Sequence, residues 1–464
     1  MSLQRRIRSP RTDLLRRPAR VAAGVFVATA LGLSAAAKDD VSSVDPVPQN
    51  LILISIDTLR ADRLGAYGYA RATSPSLDAL AKRGARVETV IAESSWTLPS
   101  HATMLSGLPP AVHGATQPDS KLSDDVPLLA EMLVAHGFRT FAWTGGVFVG
   151  RRHGLARGFE SWDERGLAFA PALARALRRI GELDASERFF VFLHTYDVHC
   201  PYDPPDSYAA RFQRQPAEDF IETEGRCGNP HYNAMEVSPG QAAYLSDRYD
   251  AGIRFADDLL GEFLALLDRS GAGARTLVAV VSDHGDEFLE HGRTGHRGSL
   301  YIQSLRVPWI MAGPGIAPQV VHQPAGLVDV VPTLLDLLGV PVPAEQRGRS
   351  LVPVMRGAVA ADPARVLFSE TEWGKRLHGA VAGSHHLIVD RDDDRQLVFD
   401  WRADPAEASP LPAGAYGWMT KLQRVTLAWF ESRRTGSAAR SAQSIPTLSP
   451  AERAKLEALG YVEP

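Results

Sequence analysis

Short runs of apolar, β-branched residues alternate with longer amphipathic segments, and this alternation limits the fold more than any other feature. Residues 51–56, 189–193 and 275–282 are runs of this kind, typical of strands buried on both faces. Helical patterns opened by Ser-Pro pairs, such as 74–84 and 238–267, lie between such runs. The alternation predicts an α/β fold with a mainly parallel central sheet flanked by helices.

The pattern changes near residue 351, where the apolar runs become shorter and more closely spaced. Four strand-like runs and a closing helix are predicted at 366–369, 379–382, 385–389, 396–399 and 449–459. Closely spaced strands of this kind predict a smaller antiparallel sheet, with a helix, at the C-terminal end. We therefore expect a main domain over residues 50–350 and a C-terminal subdomain over 351–464.

The N-terminal 37 residues have a different character from the rest of the chain. Residues 1–20 hold seven arginines and one acid, and residues 21–37 are 17 uncharged residues that end in three alanines. This order is typical of an export signal, although the uncharged run is also near the length that spans a bilayer. We expect an exported, periplasmic or otherwise extracytoplasmic protein, with residues 38–49 as a linker. Cleavage of the signal and membrane anchoring through residues 21–37 both stay open.

Net charge and cysteine content exclude two kinds of function. The chain has 464 residues and a formal net charge of −4, so no nucleic-acid partner is expected. Its two cysteines, Cys200 and Cys227, do not form a CxxC pair, which excludes a zinc site built on cysteines. In an exported protein these two residues could pair as a disulfide, which the sequence does not decide.

Polar residues gather where three of the predicted buried strands end. Asp57 follows the first strand, residues 194–199 (HTYDVH) end the second, and residues 283–286 (DHGD) follow the third. A histidine-containing stretch at 291–296 comes shortly after the third cluster. Because functional residues of parallel α/β sheets lie beyond the carboxyl ends of the strands, we expect these clusters to meet at one edge.

The segment 94–107 places a hydroxyl group at the start of a helix. Pro99 suits a first helical turn, and Gly107 ends the apolar helical pattern, so Thr97 lies at an N-terminus that favours an oxyanion. Asp57, Asp283 and His284 offer two carboxylates and an imidazole, a ligand set for a divalent metal ion. A metal ion that also bound Thr97 would lower the pKa of its hydroxyl and make it a nucleophile.

Three further histidines are candidate catalytic residues. His101 comes four residues after Thr97, one helical turn on, so its ring is predicted to reach the same substrate. His199 and His296 are predicted to stabilise anionic oxygens of the substrate or to protonate the leaving group. Asp197 with His199 and His296 could instead hold a second metal ion, although we favour a single-metal site.

Several ordered motifs resemble those of the sulfatase family within the alkaline-phosphatase superfamily. They are residues 50–68, 97–107, 197–202, 282–285, 295–301, 306–308 and 397–407. The resemblance spans about residues 48 to 464 and implies the family's α/β fold and a metal-dependent hydrolase of sulfuric or phosphoric esters. It also implies a divalent ion (Zn, Mn, Ca or Mg) at Asp57, Thr97, Asp283 and His284. Small-molecule, lipid or glycan esters are the implied substrates.

The departures from the usual sulfatase signature shift the expected chemistry. That signature, C/S-x-P-S-R, begins with a Cys or Ser that is oxidised to formylglycine, and Thr97 cannot form this aldehyde. Thr58 stands where a second Asp is usual, His101 replaces the signature arginine, and no lysine-containing G-K-W-H element occurs near Gly145. The site resembles instead relatives with a threonine nucleophile, among them phosphoethanolamine transferases, phosphodiesterases and phosphonate hydrolases. We therefore expect no formylglycine, Thr97 as nucleophile and a preference for a phosphorus ester.

Two other functions stay open at this point. An envelope transferase of the phosphoethanolamine type would be favoured by an uncleaved anchor, but such relatives usually carry several membrane spans and this chain has at most one. A homologue that has lost catalysis and only binds glycan or lipid is the second alternative. The intact ligand set counts against it.

Overall fold

The computed structural model describes residues 46–166, 168–214, 237–412, 414–435, 443–444 and 449–459. The predicted export signal or anchor at 1–37, most of the predicted linker, and Cys227 lie outside these ranges. Cys200 is bonded in a disulfide. Within the described ranges, no helix is both long enough and apolar enough to cross a bilayer.

Strands and helices alternate through most of the described chain. The strands are β1 Asn50–Ile56, β2 Ala85–Val87, β3 Val90–Ile91, β4 Ser120–Lys121, β5 Phe138–Trp143, β6 Ser161–Asp163, β7 Arg188–Thr195, β8 Thr276–Val281, β9 Glu287–Phe288, β10 Thr294–Gly295, β11 Trp309–Ala312, β12 Gln319–Val321, β13 Ala325–Gly326, β14 Val366–Thr371, β15 Leu377–Ala382, β16 His385–Asp390, β17 Gln396–Asp400 and β18 Gln443–Ser444. The helices are α1 Pro75–Arg83, α2 Thr97–Ser106, α3 Pro110–His113, α4 Leu129–Val134, α5 Phe169–Gly181, α6 Asp206–Phe212, α7 Pro239–Arg269, α8 Ile302–Leu305, α9 Val330–Leu337, α10 Val352–Met355, α11 Gly417–Thr435 and α12 Pro450–Ala458.

An eight-stranded sheet forms the centre of the molecule, in the order β12-β2-β11-β8-β1-β7-β5-β6. Strand β1 pairs in parallel with both β7 and β8, and β5 and β6 extend the sheet in the same direction. Strand β11 is antiparallel to its two neighbours, β8 and β2. The predicted fold class, a mainly parallel sheet with flanking helices, is confirmed.

Strand β1 is buried on both faces because its side chains alternate between two hydrophobic cores. Leu51 and Leu53 pack into the core that contains α2, α4 and α9, whereas Ile52 and Ile54 pack into the core that contains α1, α5 and α7. All four side chains have no exposed surface, and each such burial stabilises the fold by about 1.5–3 kcal/mol. The two cores hold the carboxyl ends of β1, β7 and β8 in a fixed relation.

The C-terminal sheet packs directly against the central body. Strands β14 to β17 form the predicted four-stranded antiparallel sheet. The Glu370 backbone N–H donates to the Glu93 carbonyl (2.8 Å), and the Ser369 hydroxyl donates to the Ala92 carbonyl (2.6 Å). Strand β14 therefore adjoins the residues that lead into α2.

Two parts of the observed fold differ from the sequence prediction. The sequence of residues 85–91 predicts one strand, but in the structure these residues form β2 in the central sheet and β3, which pairs with β13. The chain bends at Glu88 between them, where polar residues interrupt the apolar run. Residues 403–417, rich in Ala and Pro, are expected from the sequence to be a surface connection; helix α11, which begins at Gly417, has no counterpart among the predicted elements.

Candidate active site

Asp57 follows β1 directly and is fully buried. Its Oδ2 lies 3.1 Å from Nε2 of His194, at the end of β7. Its Oδ1 is buried and has no hydrogen-bond partner. Burial, followed by the negative charge of Asp286, raises the pKa of Asp57. Oδ2 of Asp57 thus faces His194, while Oδ1 lies 3.8 Å from Nε2 of His284.

Asp283 and His284 follow β8 and repeat this arrangement. Asp283 Oδ1 accepts hydrogen bonds from the backbone N–H groups of Thr58 (3.1 Å) and His284 (2.9 Å), while its Oδ2 is buried without a hydrogen-bond partner. His284 Nδ1 lies 3.0 Å from the Gly285 carbonyl oxygen, which can only accept, so the proton of the neutral ring is on Nδ1. The lone pair of Nε2 therefore faces Asp283 Oδ2 at 3.2 Å.

These three side chains form a cluster that a divalent cation fits. One ligand atom each from Asp57, Asp283 and His284 lies within 4.8 Å of the others, and all three residues are buried. Burial and then the charge of Asp57 raise the pKa of Asp283, while burial lowers the pKa of His284. Two carboxylate oxygens and a nitrogen lone pair converge in this buried space. Burial of their negative charge costs free energy unless a partner offsets it. A bound divalent ion would satisfy all three.

Thr97 is the first residue of α2 and lies at this cluster. Its Oγ1 is 3.3 Å from His284 Nε2, and a hydrogen bond with Thr97 lowers the pKa of Asp57. Trp96, the residue before the helix, provides no side-chain cap. The positive end of the helix dipole favours an anion bound beside Thr97. The structure brings together all four residues predicted to bind the metal ion.

His101 packs behind Thr97 and bonds to the protein through both ring nitrogens. Its Nδ1 lies 2.9 Å from the Thr97 carbonyl oxygen and 3.4 Å from Asp283 Oδ2. Its Nε2 lies 2.9 Å from the Ser55 hydroxyl, on β1. Burial, and then the nearby His194, lowers the pKa of His101, so the ring is neutral. These bonds tie the start of α2 to β1; the predicted contact of His101 with substrate stays a prediction.

His296 packs against His284, and His199 packs against His296. The His296 ring centroid is 4.3 Å from that of His284 and 5.1 Å from that of His199. His296 Nδ1 is 2.6 Å from Asp286 Oδ1, and the Tyr202 hydroxyl donates to Asp286 Oδ2 (2.7 Å). Burial lowers the pKa of His199 to about 4 and that of His296 as well. Both rings are therefore neutral, with His296 oriented by a carboxylate.

Asp197, named in the two-metal alternative, has another partner. Its Oδ2 accepts a hydrogen bond from the Phe169 backbone N–H (3.1 Å), at the start of α5. In the part of the chain that the structure describes, Asp57, Asp283 and His284 form the one cluster of three or more side chains spaced closely enough to bind a metal ion. The geometry therefore favours one metal ion.

The sequence analysis assigned no role to three residues that lie at or near this site. His194 and Asp286 belong to the polar clusters at the strand ends, and that position was the signal that could have identified them. Arg297 directly follows His296 and is 4% exposed. Its backbone N–H donates to the Ser95 carbonyl (3.3 Å), and its guanidinium lies 4.4 Å from the ring centroid of Trp373, beyond β14. The positive charge of Arg297 also lowers the pKa of His296.

Known proteins resemble this chain over much of its length. A sequence model of the family described as Sulfatase matches residues 49–340. The chain is 24% identical over 417 residues to the Delta 4,5-hexuronate-2-O-sulfatase of Bacteroides thetaiotaomicron, covering 78% of this chain and 84% of that protein. It is 31% identical over 206 residues to the choline-sulfatase of Rhizobium meliloti, covering 44% and 39% of the two chains. The solved structure of the phosphonate monoester hydrolase of Agrobacterium radiobacter matches with a TM-score of 0.69 at 19% identity, covering 86% and 100%; this likeness concerns the fold.

Proposed function

From the premise that this chain belongs to the sulfatase family and is a sulfatase-like ester hydrolase, we propose that Thr97 is its nucleophile and that its preferred substrate is a phosphorus ester. One observation carries the proposal. Carboxylate oxygens of Asp57 and Asp283 and the lone pair of His284 converge beside the Thr97 hydroxyl. A divalent cation held there would lower the pKa of that hydroxyl and offset negative charge on the ester.

The reaction proceeds through two substitutions at sulfur or phosphorus. In the first, Thr97 Oγ1 loses its proton and bonds to the central atom, while the bond to the leaving oxygen breaks and that oxygen takes up a proton. In the second, a water oxygen bonds to the central atom, the bond to Thr97 breaks, and Thr97 regains a proton. The N-terminus of α2 favours the negative oxygens of the ester throughout.

The pair Asp286–His296 is suited to carry the proton in both steps. Because Nδ1 of His296 donates to Asp286, the Nε2 of the neutral ring accepts a proton, and the carboxylate stabilises the imidazolium that results. The proton that leaves Thr97 passes through His296 to the leaving oxygen, and the water proton returns in the second step. His199 Nδ1 donates to the Cys200 carbonyl, so His199 must gain a proton at Nε2 before it can donate to an anionic oxygen.

Arg297 supplies a buried positive charge beside these neutral histidines. Its backbone is bonded to Ser95, two residues before Thr97, and its side chain lies over Trp373. Trp373 in turn packs edge-on against Trp96, with ring centroids 4.8 Å apart. Residues from the start of α2, from the loop after β10 and from the C-terminal sheet therefore adjoin one another. We assign Arg297 to binding of the ester's anionic oxygens.

The preference for phosphorus follows from the chemistry of threonine. Formylglycine hydrate can expel sulfate with its second hydroxyl group, whereas a Thr97 ester must be cleaved by water. Phosphoryl enzymes undergo such cleavage with metal assistance. The phosphonate monoester hydrolase of similar fold gives a precedent for phosphorus chemistry, and the hexuronate and choline sulfatases give one for sulfate esters of a sugar and of a small molecule.

Metal analysis followed by a substrate panel tests this function. The purified protein should hold about one equivalent of a divalent metal, because the residues that the structure describes contain one cluster of ligands. The metal-loaded enzyme is then assayed on aryl phosphates, phosphodiesters, phosphonate monoesters and sulfate esters that share one leaving group. We expect the highest kcat/KM on a phosphorus ester. Turnover of sulfate esters alone would overturn the phosphorus preference, and turnover of none would overturn the hydrolase function.

A further inference from the structure

We propose that His194 is a positioning residue of the candidate metal site, which fixes the Asp57 carboxylate so that Oδ1 faces Asp283 and His284. The inference rests on the proposed metal site but not on the identity of the ester. It starts from the pairing of β1 with β7, in which Ser55 and Ile56 lie beside His194 and Thr195. Asp57, the next residue, therefore emerges beside His194 at the same sheet edge.

The hydrogen bonds of His194 determine which nitrogen carries its proton. The backbone N–H of Gly145 donates to Nδ1 (3.2 Å), so Nδ1 is an acceptor and the ring is neutral. The proton is therefore on Nε2, which lies 3.1 Å from Asp57 Oδ2. His194 thus donates one hydrogen bond to the carboxylate and adds no positive charge that would oppose a metal cation.

The packing around His194 holds this bond in one orientation. The ring is 1% exposed and lies between His101 and Tyr196, with centroid distances of 4.9 and 4.5 Å and nearly perpendicular planes. The Asp57 backbone N–H donates to the Thr195 carbonyl (3.1 Å), which fixes the main chain at the same place. Rotation of the Asp57 carboxylate is therefore opposed by a rigid donor.

His101 lies close to the other carboxylate. Its Nδ1 lies 3.4 Å from Asp283 Oδ2, and its ring packs edge-on against His194. The two neutral imidazoles thus lie together beneath the two acidic ligands. Loss of an outer hydrogen-bond partner of a metal ligand typically weakens metal binding about 10–100-fold. We expect an effect of that size when the His194 donor is removed.

Metal affinity, measured without reference to turnover, tests the role of His194. The full-length protein is stripped with EDTA, and its Kd for Zn²⁺ and Mn²⁺ is measured by competition with a chromophoric chelator. H194F keeps a ring but removes the donor, whereas H194Q keeps a donor near the position of Nε2. We expect Kd to rise about 10–100-fold in H194F and less than about threefold in H194Q.

A matched control separates this role from a general effect on the fold. His113 is also fully buried, accepts a backbone N–H at Nδ1 (from Ala115, 3.1 Å) and contacts a hydroxyl, that of Thr103, through Nε2 (3.1 Å). H113F should lower the melting temperature but leave metal affinity unchanged. H194A, which cannot overpack the site, should match H194F.

Three results would overturn the inference. Wild-type affinity in both H194F and H194A would show that Asp57 needs no donor, and equal weakening in H113F and H194F would show a purely structural role. A wild-type protein that binds neither ion would overturn the metal site itself, and this inference with it. A normal pattern of metal affinities without turnover of any ester would instead leave the inference standing and overturn only the proposed reaction.

Discussion

The Thr97 hydroxyl oxygen lies 3.3 Å from Nε2 of His284, although 187 positions separate the two residues in the chain. The start of α2 and the end of β8 lie close together because both pack against β1, the strand that Asp57 follows. The nitrogen that faces the hydroxyl bears a lone pair, since the Nδ1 proton of His284 is bonded to Gly285. This relation makes the threonine a candidate nucleophile and not only the first residue of a helix.

Asp283→Asn should abolish stabilisation of the protein by metal. The amide oxygen can still accept the backbone N–H groups of Thr58 and His284, but the charge that a cation requires is lost. A ligand at 100 times its Kd stabilises a protein by about 2.7 kcal/mol, which the wild type should gain and the variant should not. Thermal melts in EDTA and in excess Zn²⁺ or Mn²⁺ measure the difference. An equal gain in both proteins would place the metal ion elsewhere.

His296→Ala should reduce kcat most for esters with poor leaving groups. The proposed proton path ends on the leaving oxygen, so an acidic phenol needs it less than a weakly acidic alcohol does. We expect losses of about 10²–10⁴-fold that increase as the leaving group becomes less acidic. Asp286→Asn, which disturbs the bond at His296 Nδ1, should give the same trend with smaller losses. A loss that is uniform across the series would rule out proton transfer by His296.

Arg297→Met should weaken anion binding more than it slows turnover. A charged hydrogen bond is worth about 1.5–3 kcal/mol, so KM and the inhibition constant of inorganic phosphate should rise about tenfold or more. Trp373→Phe keeps an aromatic ring beneath the guanidinium and serves as the control, with a smaller effect expected. Inhibition by phosphate that is unchanged in Arg297→Met would place this guanidinium outside the substrate site.

The carboxyl ends of the central strands were predictable from local sequence, and so was the meeting of Asp57, Asp283 and His284 beside them. The nearly continuous apolar run of β1 indicates burial on two faces, and the carboxyl ends of parallel strands lie at one edge of the sheet. The positions of Asp57, Asp283 and His284 follow from that rule. Contacts that depend on side-chain orientation were not predictable. The bond of His194 to Asp57 requires a particular rotamer and tautomer, and the contact of Arg297 with Trp373 depends on how β14 docks beside α2.

The prediction of a single strand over residues 85–91 was wrong because long-range pairing overrides the local pattern there. Residues 85–91 are apolar throughout most of their length, but β2 pairs with β11 and β12 while β3 pairs with β13. Which neighbour each half meets is set by segments more than 200 residues further along the chain, so local periodicity does not determine it.

Glu370→Gln should change how stability depends on pH. Burial, and then the charge of Glu372, raises the pKa of Glu370 from 4.5 to about 8. Between pH 4.5 and about pH 8, Glu370 is ionised in the unfolded chain but protonated in the folded chain. The free energy of unfolding of the wild type therefore falls as pH rises, by at most about 1.4 kcal/mol per pH unit. Glutamine does not titrate, so the variant should gain stability over the wild type between pH 5 and pH 8.

Urea unfolding of both proteins at pH 5 and pH 8 measures this gain. Glu372→Gln is the control: it keeps Glu370 but removes the neighbouring charge, so it should reduce the pH dependence without abolishing it. A difference between Glu370→Gln and the wild type that is the same at both pH values would show that Glu370 does not titrate in this range.

Replacement of Thr97 tests the central claim most directly. Thr97→Ala and Thr97→Ser are compared with the wild type on the best ester of the substrate panel, with the metal content of each protein measured in the same preparation. We expect Thr97→Ala to retain the metal bound by Asp57, Asp283 and His284 but to lose kcat/KM by a factor on the order of 10⁴ or more. Thr97→Ser keeps a hydroxyl group and should retain measurable turnover. Turnover by metal-loaded Thr97→Ala at the wild-type rate would contradict the central claim.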